Sequence, residues 1–164
     1  MNIVCDIDST VNDHWNRILR CSNSGVIDEK KAFSAVEVMK DKVLPNALEV
    51  NHKAVRLYHC NWVFLTARGW KDAYSITDSW LFKKEFLYHD LIICKNMSSK
   101  IEILKNMNCD IYIDDFTSGQ ERGLSNLTFR KDIKDAIENL GINVLVAKNN
   151  WLDILKIIQK SVSK

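Results

Sequence analysis

An α/β fold is predicted for this chain: a parallel sheet with helices on both faces and a small helical insertion near the start. Three observations predict it. Short apolar runs at 3–5, 62–65, 91–94, 111–113 and 143–147 are rich in β-branched residues and apolar at consecutive positions, as in strands buried on both faces. Amphipathic stretches alternate with those runs, which is the rhythm of strand–helix–strand crossovers. A length of 164 residues suits one domain with a proper core and excludes two. The domain is therefore expected to span 1–164, with 11–44 as the insertion.

The elements follow in order. After the run at 3–5, two helical patterns at about 12–21 and 29–40 flank a Ser22-Asn23-Ser24-Gly25 turn, with no convincing strand between them. They read either as a helical cap above the sheet or as two ordinary crossover helices. Pro45 suits the first turn of a helix reaching about Tyr58. A helix over about 71–87 carries Ala73, Ile76, Trp80 and Leu81 at helical spacing. Ser98 is placed to cap a helix over 99–107, with Ile101, Leu104 and Met107 on one face. A helix over 131–140 stops at Gly141, and another over 151–159 closes the chain.

A net charge of +2 is nearly balanced, so bulk electrostatics call for neither nucleic acid nor a membrane. Cys5, Cys21, Cys60, Cys94 and Cys109 are odd in number and form no CxxC or CxxH pair, which argues against zinc and a disulfide framework. The apolar run after Met1 is too brief for a signal sequence or a membrane span. A soluble protein of a reducing cytoplasm is expected, with no membrane partner.

Sites in open parallel sheets form beyond the carboxyl ends of strands. Four strand ends here carry polar residues suited to one task. Asp6-Ile7-Asp8-Ser9-Thr10 follows the first strand, and Asp6 and Asp8 can project to one side of an extended chain. Two carboxylates in one pocket repel unless a cation or a proton intervenes, a setting that suits magnesium. Thr66-Ala67-Arg68 follows the second strand and offers a hydroxyl and a guanidinium to phosphate oxygens. Lys100 lies near the start of a later helix, with Lys95 as a competitor. Asp114-Asp115 ends the fourth apolar run, where adjacent acids need a cation. Each group alone also reads as a turn, a cap or a surface charge; the four together, in this order, point to phosphate chemistry.

These residues resemble the haloacid dehalogenase-like superfamily of Rossmann-like phosphatases, and the resemblance spans nearly the whole chain. It implies Asp6 as nucleophile, Asp8 as general acid/base, and Thr66 and Lys100 as phosphoryl ligands. It also implies Mg2+ bound by Asp6, the Asp8 carbonyl and one of Asp114-Asp115, Asp115 being favoured and Asp114 supporting. Thr66-Ala67-Arg68 with Thr77-Asp78-Ser79-Trp80-Leu81 is similar to a run in the 3′-phosphatase domain of polynucleotide kinases. The Pro45 helix and short cap are similar to those of 5′(3′)-deoxyribonucleotidases. Ser9 departs from the usual glycine, and residues 116–129 match neither subgroup.

An ordinary aspartate has a pKa near ~3.9, so Asp6 is expected to be ionised and ready to attack. Asp8 is expected to have a raised pKa. Arg68 and Lys100 would offset charge on the phosphoryl oxygens. Trp15, Phe33 and Trp70 lie near the expected entrance, as stacking faces for a nucleobase or as packing residues; Trp80 reads as core. The expected substrate is a small phosphorylated molecule, a nucleotide or a nucleic-acid 3′ end, with sugar phosphates or a non-catalytic binding role as the alternatives.

Overall fold

A computed structural model describes residues 1–118 and 127–163. In chain order it contains β1 (Asn2–Cys5), α1 (His14–Arg20), β2 (Ser22–Asn23), β3 (Val26–Ile27), α2 (Glu29–Ala32) and α3 (Ala35–Val38). There follow α4 (Ala47–Arg56), β4 (Asn61–Ala67), α5 (Ala73–Lys83), β5 (Asp90–Cys94), α6 (Met97–Lys105) and β6 (Ile111–Asp114). The remainder is β7 (Thr117–Ser118), β8 (Thr128–Phe129), α7 (Lys131–Glu138), β9 (Asn143–Val146) and α8 (Trp151–Val162).

Five strands form one sheet in the order β5-β4-β1-β6-β9, and every adjacent pair is parallel. The architecture is the Rossmann-like three-layer α/β fold that the alternation predicts. Strand periodicity divides the core. Ile3, Cys5, Trp62, Phe64, Ile111 and Ile113 pack with α4, α5 and α8, while Val4, Val63, Leu65 and Tyr112 pack with α6 and α7. Trp80 is fully buried and stacks on Phe86. Among the described residues no helix is long and apolar enough to cross a membrane.

The strand order places a switch point between β1 and β6. The chain leaves β1 towards β4 and β5 on one side, then returns to β6 and continues to β9 on the other. The connections after β1 and β6 diverge to opposite faces, opening a crevice at the carboxyl ends. Asp6 follows β1, Asp114 ends β6 and Asp115 follows it.

Several boundaries differ from the sequence-based expectation. The turn at 22–25 is the tip of a two-stranded hairpin, because Gly25 (φ 81°) and Ser24 (φ 48°) take left-handed backbone that closes it. The second helical pattern is two short helices, since Ser34 caps α3 by accepting from Glu37 N and so interrupts the run. Ile18, Cys21 and Ala32 form a small core of this region, with Ile27 against it. Pro45 lies ahead of the N-cap Asn46 rather than in the first turn of α4. Asn96, not Ser98, caps α6 through Ser99 N. Within the poorly matched segment 116–129, Thr117–Ser118 pairs with Thr128–Phe129; residues 119–126 lie outside the described ones.

Candidate phosphate and metal site

The loop after β1 folds back on itself. The N–H groups of Thr10 and Val11 donate to the Ile7 carbonyl (3.1 and 3.0 Å), and Ser9 takes φ 62° to make the bend. This returns the Thr10 hydroxyl to Asp6 Oδ2, to which it donates (3.2 Å), while Thr10 Oγ1 itself accepts from Asp115 N (3.0 Å). Thr10 thus ties the β1 loop to the end of β6, a role the motif contained but spacing alone does not assign.

Lys100 comes from the second turn of α6, 2 % exposed, and donates to both Asp6 Oδ1 (2.7 Å) and Asp114 Oδ2 (2.8 Å). Burial disfavours its ammonium, yet Asp114 and Asp6 outweigh that and hold its pKa well above the usual value. Lys95 is exposed, so of the two lysines it is Lys100 that reaches the acids. Asp114 is fully engaged: Oδ2 also accepts from the Tyr112 hydroxyl and Oδ1 from Phe116 N.

Carboxylate oxygens of Asp6, Asp114 and Asp115 lie within 4.8 Å of one another. Burial, with the Asp114 and Asp8 charges, pushes Asp6 up to about 7 despite Lys100. Burial, with Asp114 and Asp6, pushes Asp115 up to about 8. The expectation of an Asp6 at its ordinary acidity is therefore corrected. One ammonium does not balance three buried carboxylates, so part of the cluster retains protons near neutrality.

Asp8 departs from expectation in the opposite direction. Its carboxylate accepts a bidentate fork from Arg68 (Nε to Oδ2 and NH2 to Oδ1, both 2.8 Å), with Arg17 NH2 and Asn12 Nδ2 each 3.2 Å from Oδ1. His14 Nδ1 is 3.1 Å from the same oxygen. Burial would raise its pKa, but the Arg68 fork outweighs burial and holds it well below the usual carboxylate range. Arg68 is fully buried, and its third group, NH1, donates to Thr77 Oγ1 (2.7 Å). Both Arg68 and Asp8 are thus committed to each other.

Thr66, at the end of β4, is 1 % exposed, and among the described residues its hydroxyl has no hydrogen-bond partner. It is one of the buried polar atoms here that a ligand oxygen would satisfy. Gly69 explains why the next loop can lie so close: a Cβ there would sit 2.9 Å from the Lys95 carbonyl.

Beside Asp8 lies a cleft of about 320 Å³ lined by Asp8, His14, Glu29, Phe33, Ala67, Gly69 and Trp70. Phe33 and Trp70 stack there, with centroids 4.6 Å apart and an interplanar angle of 18°. Trp15 instead sets its ring edgewise to His14 at 5.6 Å.

His14, Arg17 and Asp41 are additions that sequence reasoning missed. Arg17 is fully buried and pairs with Asp41 (NH1 to Oδ2, 3.0 Å) as well as Asp8. Burial above all pushes Asp41 up to about 7. Nothing in the spacing of a short helical pattern marks these residues, because His14 and Arg17 reach Asp8 only through the fold-back of the β1 loop, and Asp41 comes from beyond α3.

No protein-family model matches this sequence, and no curated protein matches it. The functional reading therefore rests on the residues themselves.

Proposed function

We propose that this protein is a magnesium-dependent phosphomonoesterase that acts through an aspartyl-phosphate on Asp6. The observation that supports this reading is the group of buried carboxylates, Asp6, Asp114 and Asp115, at the switch point, with a single ammonium among them in the described residues. An all-oxygen donor set with excess negative charge fits a hard divalent cation. Asp6 and Asp115 would hold it, since Asp114 is already spent on Lys100, Tyr112 and Phe116 N. When bound, Mg2+ would neutralise charge on the phosphoryl oxygens and bring the cluster to its ionised form.

The chain's own groups then divide the work. An Asp6 carboxylate oxygen attacks phosphorus as the bond to the leaving oxygen breaks, and Lys100 offsets the charge of the incoming phosphoryl group. The Thr66 hydroxyl, without a partner among the described residues, can donate to a phosphoryl oxygen. Asp8, held ionised, is suited to the second step, in which it takes a proton from the water that attacks the phosphoenzyme. That step releases phosphate and restores the Asp6 carboxylate. Protonating the leaving oxygen in the first step requires Asp8 to loosen from the Arg68 fork while it carries the proton taken from water in the preceding turnover. The same fork is what favours a second reading, a binding protein without turnover.

For the substrate, the Phe33–Trp70 wall of the adjoining cleft favours an aromatic leaving group, a nucleotide or a nucleic-acid 3′ end, over a sugar phosphate. We place the activity in the cytoplasm. The test is phosphate release from a generic aryl phosphate with and without Mg2+. Turnover is expected to need the metal and to vanish in Asp6→Asn. Folded, metal-replete protein that turns over nothing in a broad phosphoester panel would sink the enzyme reading and leave the binding protein.

A further inference from the structure

The cleft beside Asp8 holds two buried nitrogens for which the described residues supply no partner. His14 is 3 % exposed and lines the cleft, and its Nε2 has no hydrogen-bond partner. Trp70 lines the same cleft, and its Nε1 is likewise buried and unpartnered. Buried polar atoms are nearly always satisfied, so two exceptions in one cleft mark a place where a ligand acceptor fits.

The nature of His14 Nε2 follows from its other nitrogen. Nδ1 lies 2.5 Å from Arg17 NH2. Asp8 Oδ1 also lies 3.1 Å from Nδ1, but a guanidinium can only donate and the Arg17 contact is the closer one, so Nδ1 accepts from Arg17 and the ring proton resides on Nε2. The same Arg17 NH2 also reaches Asp8 Oδ1 at 3.2 Å, so one amino group fixes both the ring and the carboxylate. The indole Nε1 of Trp70 is a donor in every state. The cleft therefore presents two N–H donors, and its one carboxylate besides Asp8 is Glu29. The oxygens of Asp8 are already taken by Arg68, Arg17 and Asn12.

We propose that His14 and Trp70 form a donor pair that selects, as the leaving-group part of the substrate, a planar heterocycle bearing two acceptor atoms. The flat Phe33 and Trp70 rings favour a planar group, and small Ala67 and Gly69 leave room for it. A polyol brings as many donors as acceptors and would leave several of its own hydroxyls unsatisfied here. A plain hydrocarbon ring would fill the space but leave both N–H groups unanswered. The cleft volume of about 320 Å³ suits one such ring and its attached sugar. The inference rests on the phosphatase reading for the place of the phosphate, but recognition of the ring needs no catalysis.

The test uses the full chain without metal and two ribosides that lack phosphate: uridine, which carries two carbonyl acceptors, and a C-phenyl riboside of similar shape with none. Binding is followed by calorimetry. Uridine is expected to bind at least about tenfold more tightly. That preference is expected to fall in Trp70→Phe, which keeps an aromatic ring without the N–H. It is also expected to fall in His14→Phe and to return in His14→Gln, whose amide restores a donor. Equal binding of the two ribosides, or no binding of either, overturns the donor pair. Equal loss in His14→Phe and His14→Gln overturns the donor role of His14. Phosphate release from an aryl phosphate on the same preparation separates this from the parent reading. Turnover without riboside discrimination overturns the donor pair alone; discrimination without turnover overturns the phosphatase alone.

Discussion

Lys100 carries the charge balance of the switch point, and its removal tests that balance directly. In Lys100→Met the buried Asp6 and Asp114 lose the one ammonium that the described residues set against them, so a loss of roughly 3–5 kcal/mol is expected at neutral pH. Denaturant unfolding would measure it, and a loss under ~1 kcal/mol would mean that the pair contributes only as an exposed bridge does. Ser9 tests the loop. Its φ of 62° costs a non-glycine residue roughly 1–2 kcal/mol, and glycine's extra chain entropy offsets roughly 0.5–1 kcal/mol of that. Ser9→Gly should therefore stabilise by up to roughly 1.5 kcal/mol, read as a higher denaturation midpoint, and a lower midpoint would count against strain at this bend. Much of the residue-scale site is legible in sequence. Asp6, Asp8, Thr66, Arg68, Asp114 and Asp115 sit at, or just past, runs that read as strands, and Lys100 lies near the start of the helix that follows another. What is not legible is their electrostatic state. Spacing indicates that two acids are near each other, but not that Arg68 lowers one while burial raises the other.

The helices show how local chemistry sets boundaries and thereby positions side chains. Asn96 accepts from Ser99 N and so starts α6 at Met97, which puts Lys100 one turn in. Asn96→Ala should cost about 1 kcal/mol, seen as a lower thermal midpoint, because an orphan amide at the helix start loses its acceptor. The expected cap at Ser98 is two residues too late, since an Asn with extended backbone (φ -156°) serves the purpose first. The loop after β4 offers a second element-scale test. A methyl at Gly69 would meet the Lys95 carbonyl at 2.9 Å, and neither backbone can yield freely. Gly69→Ala is expected to destabilise by roughly 1–3 kcal/mol and shift the β4–α5 loop, observable as changed amide chemical shifts around Lys95. Thr77 and Trp80 read as a motif in the sequence, and the structure gives each a physical task. Thr77 holds Arg68 NH1, while Trp80 is core and donates to the Asp41 carbonyl.

At the scale of the molecule, the carboxylate cluster couples folding to pH and to metal. Asp6 and Asp115 are raised to about 7 and about 8 when folded, against ~3.9 in an unfolded chain. Between those values the unfolded chain has released protons that the folded protein keeps, so stability falls as pH rises from about 4 through about 8. Asp8 acts with the opposite sign, and its contribution is lost only as pH falls below ~4. Metal-free protein should thus unfold at lower urea concentration at pH 8 than at pH 5.5. Magnesium should reverse most of that drop, with a larger effect at pH 8, because the cation favours the ionised cluster. A magnesium effect equal at both pH values would count against a carboxylate site. The alternation of β-branched runs with amphipathic stretches determined the sheet, its layers and which acids end its strands, because those depend on periodicity along the chain. Only the tertiary structure decided that Lys100 rather than Lys95 reaches Asp6, that Arg68 grips Asp8, and that His14 and Arg17 join them. Those outcomes depend on which distant segments meet at the switch point, and on a balance of burial and charge that no local pattern encodes.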